Sequence, residues 1–284
     1  MGKRQGARDS IHGKPSDPAS RPLPLASRQA ATAALVLFAK APVPGQVKTR
    51  LCPPLTPDEA ATLHGTFVLD ALESSASAAS RGLPKQSPRR FDRILACWPS
   101  SEHVFFQIMQ ERHGVELIDQ RGDDLGARMA TAADEVFRKG YQRVLLVGTD
   151  LPDLPESTYQ DALTLIAAHD VVLGPSSDGG YYLIGLAHPA PDLFRDVPWS
   201  TDQVLRVTLA KAKEAGLATA QLPMHRDIDT IDDLLDLIHV MGSDGRKGAS
   251  DGKHAAVSKR TAGALRLIAD RLKQRGTTRG VGGS

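Results

Sequence analysis

Short apolar runs alternate with longer amphipathic stretches through the middle of the chain. "AALVLFA" (33–39) is continuous and apolar, the pattern of a strand buried on both faces. "TPDEAATLHGTFVLDAL" then opens as a helix, with Thr56 as cap, Pro57 at the first helical position, Glu59 completing a capping box, and Leu63, Phe67 and Ala71 on one face. "FDRILAC" (91–97) and "VELID" (115–119) read as strands with a helical stretch between them. The segment 123–139 predicts a helix capped by Asp124, with Leu125, Met129, Ala132 and Val136 facing inward. "RVLLVGT" (143–149), "DVVLGP" (170–175), "GYYLIGLA" (180–187) and "ATAQLP" (218–223) are further strands, with helices over about 156–168, 202–214 and 230–240.

This alternation predicts an α/β fold: one Rossmann-like domain with a mainly parallel sheet flanked by helices. Ligands of such sheets bind outside the carboxyl ends of the strands. Three polar clusters fall there, "KAPVPGQVKTR", "GTDLPDLP" and "GPSSDGGYY", and they are expected to converge on one site.

Composition sets the limits of that domain. Residues 1–30 carry six basic against two acidic residues, and 242–284 carry ten against three, both with little apolar content apart from a helix-like stretch at 256–274. Such segments bury too little surface to offset their ordering entropy, so 31–241 is expected to be the domain and the ends disordered basic tails. With a formal net charge of +2 for the whole chain, the stretch between the tails carries −9. An acidic domain lacks the basic footprint of a nucleic-acid binder, and any anion must be held by a few placed cations or a metal. Two cysteines without metal spacing, no run long enough to span a membrane and no signal-peptide core make a reduced, cytoplasmic setting the expectation. Oligomeric state is not readable.

Three basic side chains, Lys40, Lys48 and Arg50, flank a loop stiffened by Pro42 and Pro44, and Gly45 permits close backbone approach. Lys48, Thr49 and Arg50 offer a point charge, a hydroxyl and a planar fork, a set suited to a diphosphate. The phosphate-loop spacing G-x-x-x-x-G-K-[ST] is absent, and a solvated surface loop explains the composition equally well. "LLVGTDLPDLP" puts Asp150 at the rim of the sheet, as a ligand for Mg²⁺ or Mn²⁺ or as a turn cap. Asp153 reads as a turn residue. Asp229 stands before the last helix, where ligation and capping compete. Asp178, Gly179, Gly180 and Tyr181 suit a sugar, and a Gly-Gly turn entering a strand suits them as well. Trp199 reads as core. No Ser-His-Asp or Cys-His arrangement stands out, and the nine histidines read as structural or surface residues.

Taken in order, "FAKAPVPGQVKTRL", "LGARM", "VGTDLPDL", "LGPSSDGGYYLIGL", "VPWST" and "DIDTIDDL" resemble, over about 34–237, the bacterial arsenosugar-biosynthesis-type glycosyltransferase family. That family is similar to the nucleotide-diphospho-sugar transferases of the glycosyltransferase-A fold, a superfamily that also holds guanylyl- and cytidylyltransferases. The resemblance implies phosphates near Lys48 and Arg50, Arg128 in a segment that approaches the nucleotide, and a divalent metal on Asp150 with Asp229 as second carboxylate. It further implies a metal-dependent transferase that uses a nucleotide sugar and a small-molecule acceptor. Lys48 would neutralise the leaving phosphate and Asp178 would orient or deprotonate the acceptor. The alternatives are a nucleotidyltransferase joining an NTP to a phosphorylated acceptor, and a non-catalytic nucleotide-binding module. Two departures from the superfamily stand out: the first loop is proline-rich where related nucleotidyltransferases have a glycine-rich one, and the DxD triplet is replaced by T-D-L-P-D.

Overall fold

Strand β1 (Ala33–Lys40) shows why the sheet must be covered on both sides. Leu35 and Leu37 point into one apolar layer while Ala34 and Val36 point into the other, the two-residue period of a pleated strand. The structure is a computed structural model in which residues 32–83, 90–243 and 257–278 are described. The expected tail 1–30 and the stretch 244–256 lie outside the described residues.

The order of elements follows the sequence pattern. After β1 come α1 (Pro57–Ser80), β2 (Asp92–Trp98), α2 (Val104–His113), β3 (Glu116–Asp119), α3 (Leu125–Arg138), β4 (Arg143–Gly148) and α4 (Glu156–Leu165). Then follow β5 (Val171–Pro175), β6 (Tyr181–Leu186), α5 (Val204–Glu214), β7 (Thr219–Gln221), α6 (Ile231–Ser243) and α7 (Lys259–Thr278). The seven strands lie in the order β3-β2-β1-β4-β6-β5-β7, all parallel except β6. Helices α1, α2 and α4 cover one face through Val68, Leu72, Phe106, Met109 and Tyr159. Helices α3 and α5 cover the other through Met129, Ala132, Val136 and Ala212. The α1 capping box forms as expected, with Thr56 Oγ1 accepting from Glu59 N and Glu59 Oε2 accepting from Thr56 N.

Two expectations need correction. Leu125, expected inside, is 45% exposed, because it is the first residue of α3 and lies beyond the reach of the sheet. The domain boundary at 241 leaves out a helix that the fold includes. Leu265 and Ile268 of α7 are 0% and 5% exposed, packed with Leu51, Leu55, Leu63 and Phe67 and with Leu234 and Leu237 of α6. Polar contacts complete that docking: Thr261 Oγ1 donates to Asp70 Oδ2 at 2.6 Å, Arg260 pairs with Asp70 and Glu73, and Arg271 pairs with Glu59. The overall Lys/Arg richness of 242–284 hid not the helix, which the pattern at 256–274 predicts, but the narrow apolar stripe by which it docks. No helix among the described residues is long and apolar enough to cross a membrane.

Candidate active site

The first, second and third polar clusters all emerge from the carboxyl ends of parallel strands, from β1, β4 and β5 respectively. Beyond β1 the chain turns at Gly45, where φ is +78°, and buries Val47 and Leu51 on either side of Lys48. Lys48 itself takes a left-handed backbone, φ 48° and ψ 36°, immediately before a single 3-10 turn at Thr49–Leu51. That conformation costs a non-glycine residue of order 1 kcal/mol and persists only where the surroundings hold it. Here the buried neighbours hold it, and the side chain is directed inward, 3% exposed.

Inward lie carboxylates from two other segments. Lys48 Nζ stands 3.0 Å from Asp150 Oδ1, just past β4, and 3.1 Å from Asp229 Oδ1, just before α6. Arg50 Nη1 reaches Asp229 Oδ2 at 3.4 Å. Backbone ties fix the segments to one another: Ile228 N donates to Asp150 O at 3.0 Å, and Thr149 Oγ1 to Phe38 O at 3.2 Å. Asp150 Oδ1 is buried although the side chain as a whole is 38% exposed. Burial by itself would raise this carboxyl, but the Lys48 ammonium, and after it His64, outweigh that and hold it well below the usual carboxylate range. Lys48 is the mirror case: burial would lower its pKa, and Asp150 and Asp229 together push it above the ordinary lysine value.

Capping of α6 falls to the neighbours of Asp229. Asp233 Oδ2 accepts hydrogen bonds from Asp229 N, Thr230 N and Thr230 Oγ1, while Asp233 N donates to Thr230 Oγ1 at 3.4 Å. Thr230 and Asp233 thus cap α6 as a pair. The Asp229 carboxylate is left to face Lys48 and Arg50.

Next to this group opens a cleft of about 460 Å³ lined by Asp178, Asp227, Asp229 and Asp233 together with Arg50 and Arg226. Arg226 is already bound to Asp233 and Asp236, each at 2.5 Å. Asp178 sits in the turn between β5 and β6, where its Oδ1 accepts from Gly180 N at 2.8 Å. Asp227 Oδ1 accepts from Ser176 Oγ at 2.7 Å. Burial pushes the Asp227 carboxyl above the usual range, and the charges of Asp178 and Asp229 add to that against the Ser176 hydrogen bond. Among the described residues no three His, Cys, Asp or Glu side chains form a closed metal cage.

Lys48, Asp150 and Asp229 therefore meet, with Arg50 beside them and Asp178 in the lining of the adjoining cleft. Lys40 ends β1, Gly45 and Thr49 lie on the loop after it, and Lys40 and Thr49 are exposed. Other expected residues go elsewhere. The Arg128 guanidinium lies 3.7 Å over the Trp98 ring at the end of β2, and its Nε donates to Gly122 O. Tyr181 packs edge-on against Trp199 with its hydroxyl buried beside Thr208, so its ring belongs to the layer under α5 and not to the cleft lining. Gly179 has φ +89°, and a Cβ there would lie 2.2 Å from Asp202 O, so its place is set by the turn. "LGARM" and "VPWST" are packing partners, since a Cβ on Gly126 would meet Trp199 Nε1 at 2.2 Å.

This fold has relatives. The family described as "uncharacterized protein conserved in bacteria (DUF2064)" matches residues 86–201. A crystal structure of a "putative nucleotide-diphospho-sugar transferase" from Desulfovibrio desulfuricans G20 is 31% identical, covers 86% of this chain and 98% of its own, and superposes with a TM-score of 0.70. The chain belongs to that protein's family. The wider fold reaches the inositol-1-phosphate CTP transferase of T. maritima (15% identity, 78% and 99% coverage, TM-score 0.41). It also reaches Rv0371C of Mycobacterium tuberculosis H37Rv in complex with manganese (16%, 72% and 96%, 0.42). Both are too distant to bear on the chemistry of this chain. No curated protein matches the sequence.

Two residues of the site, His64 and Asp227, escaped the sequence reading, while Asp233 was read only as favouring the start of the last helix. His64 is 4% exposed on α1; its Nε2 donates to Lys40 O at 3.1 Å and its Nδ1 stands 3.4 Å from Asp150 Oδ1. The readable signal was its place in the buried stripe with Ala60, Ala61, Phe67 and Val68, where a polar side chain needs partners. Asp227 was readable from alternation: with Ile228 buried at 3%, the residues on either side of it share a face. Asp233 was readable as the fourth residue of T-I-D-D, a capping-box spacing counted from Thr230.

Proposed function

We propose that this protein is a divalent-metal-dependent glycosyltransferase that takes a nucleotide sugar as donor and an uncharged or cationic small molecule as acceptor. The observation that carries the reading is the convergence of Lys48, Asp150 and Asp229, drawn from three separate segments, with Arg50 at the rim. Two carboxylates that already share one cation fit a hard dication, whose remaining ligands in sites of this kind are substrate phosphates and water. A metal held by Asp150 and Asp229 would supply Lewis-acid neutralisation of a leaving diphosphate. Lys48 and Arg50 would bind the same diphosphate and stabilise the charge that grows on it as the glycosidic bond to phosphate breaks. The acceptor hydroxyl would form the new bond to the sugar carbon and give its proton to a carboxylate of the cleft, Asp178 or Asp227.

The charge of the cleft favours glycosyl over nucleotidyl transfer. Four aspartates face two arginines there, and Arg226 is spent on Asp233 and Asp236. A phosphorylated acceptor, which the nucleotidyltransferase reading requires, would meet that carboxylate wall. A polyol or an amine would find acceptors for its hydrogen bonds. The test is to incubate the protein with nucleotide sugars and Mg²⁺, and separately with NTPs and sugar phosphates. Release of nucleoside diphosphate is expected in the first. Pyrophosphate in the second, with none of the first, overturns the reading.

A further inference from the structure

The position between Asp150 and Asp229 is already filled by the protein's own cation. The Lys48 side chain, 3% exposed, puts Nζ within 3.1 Å of both Oδ1 atoms, while Arg50 occupies Asp229 Oδ2 and His64 Nδ1 faces Asp150 Oδ1. The pair of carboxylates is neutralised before any ligand arrives. A dication brought onto the same two carboxylates would sit at contact distance from an ammonium, and at that range like charges in a poorly solvated site repel strongly. Lysine and metal cannot both keep these contacts. Lysine is a compact charge on a long flexible stem, so it can move where a rigid group could not. What would draw it away is an anion arriving from the side of the loop that carries Thr49 and Arg50.

We infer that Lys48 is an exchangeable internal cation. In the free protein it closes the metal position. When a diphosphate binds, its ammonium transfers to the phosphate oxygens and releases Asp150 and Asp229 to the metal. Metal and diphosphate then bind cooperatively, and metal alone binds weakly. The inference rests on the reading of Asp150 and Asp229 as metal ligands, but its measurement is metal binding in the absence of any donor, which does not depend on turnover.

The experiment titrates the full chain with Mn²⁺ alone, following free Mn²⁺ by electron paramagnetic resonance, in wild type, Lys48→Met and Lys48→Arg. Lys48→Met is expected to bind Mn²⁺ tighter by on the order of tenfold, the size of an ordinary coupling between sites, and Lys48→Arg no tighter than wild type. Equal or weaker Mn²⁺ binding in a folded Lys48→Met protein overturns the inference. Should Lys48→Met fail to fold, crystals of wild type with Mn²⁺ and inorganic pyrophosphate decide: Nζ is expected on pyrophosphate with Mn²⁺ on both carboxylates. Nζ still bridging Asp150 and Asp229 beside a bound Mn²⁺ overturns it. Mn²⁺ bound elsewhere overturns both this inference and the metal reading, whereas absent glycosyl transfer with tighter Mn²⁺ binding overturns only the proposed reaction.

Discussion

The loop after β1 and the turn after β5 both contribute to the same cleft and are built in different ways. The first is held from a distance. Lys48 meets Asp229 across 181 residues of sequence, and Leu51 and Leu55, just beyond it, are buried in a cluster shared with α1, α6 and α7. The second is held through its backbone: Ser176 N donates to Gly180 O, Ser177 N to His225 O and Leu205 N to Gly179 O. Asp178 is exposed, and its hydrogen bond goes to the amide two residues on. A loop fixed by several elements holds its backbone while the Lys48 ammonium changes partner, which suits the side proposed to handle phosphate and metal. The exposed Asp178 side chain at the tip of that turn can vary without disturbing the core, which suits the side proposed to select an acceptor.

That contrast is broken most severely from α7. Leu265 is fully buried against the cluster behind the first loop, so Leu265→Ala is expected to cost about 2–5 kcal/mol in urea unfolding. Pyrophosphate binding should weaken in the same variant at temperatures where it stays folded. A loss below about 1 kcal/mol would mean that α7 is an appendage and that the first loop stands without it.

Removing Asp150 tests the ionic tie. Asp150→Ala leaves the buried Lys48 with Asp229 alone, at an expected cost of about 2 kcal/mol, less than for a wholly orphaned buried charge because one partner remains. The acid limb gives the sign. Asp150 titrates below its unfolded value, so its contribution is present above about pH 4 and is lost as pH falls through the folded pKa. Lys48 titrates above its unfolded value, so its contribution is present below about pH 10 and is lost as pH rises through the folded pKa. Stability measured from pH 2 to 6 should therefore rise less steeply in Asp150→Asn than in wild type. Parallel curves would show that the contact adds nothing to folding.

Most of the sheet was legible because its strands are apolar on both faces and its helices carry caps in the sequence. The helix at 256–274 was legible as well, but its docking on the domain was not, because composition averages over a segment and hides one apolar stripe among ten basic residues. Of the site, Lys48, Asp150 and Asp229 were legible as rim residues after strands. Their sharing of one ammonium was not, since nothing in the local sequence states that a lysine with a left-handed backbone will point inward. His64 was passed over because a histidine on a helix gives no local sign of what it faces. Tyr181 was misplaced because alternation puts it on one face or the other only once the register of β6 is known, and that face is the packed one.

Smaller effects separate the cap of α6 from the ligand beside it. Asp233 accepts three hydrogen bonds at the helix start, so Asp233→Ala is expected to cost about 1–2 kcal/mol. Asp229→Asn leaves the buried Lys48 with Asp150 as its one carboxylate, at an expected cost of about 1–2 kcal/mol, and should remove much of the Mg²⁺-dependent nucleotide binding, because an amide is a poorer ligand for a hard dication. Isothermal titration with a nucleoside diphosphate, with and without Mg²⁺, reads the difference. Wild-type metal dependence in Asp229→Asn would assign that carboxylate to holding Lys48 and nothing more.

The smallest expected effect on folding falls at Asp178, and it is the one that tests the acceptor side. Asp178→Asn keeps an oxygen able to accept from Gly180 N, so the turn should survive and unfolding should shift by no more than about 0.5 kcal/mol. Gly179→Ala in the same turn should be far worse, since φ +89° and the Asp202 backbone leave no room for a Cβ. The pair therefore brackets the turn: one substitution breaks its geometry, the other removes only a charge from the cleft. If Asp178 orients or deprotonates the acceptor, Asp178→Asn should lower transfer with donor binding intact, because the first loop is untouched. Donor hydrolysis by water is the comparison to run alongside. Equal losses in transfer and hydrolysis would place Asp178 on the donor side. Unchanged transfer would leave the proton to Asp227, the other carboxylate of the cleft, which Ser176 holds from the strand end behind it.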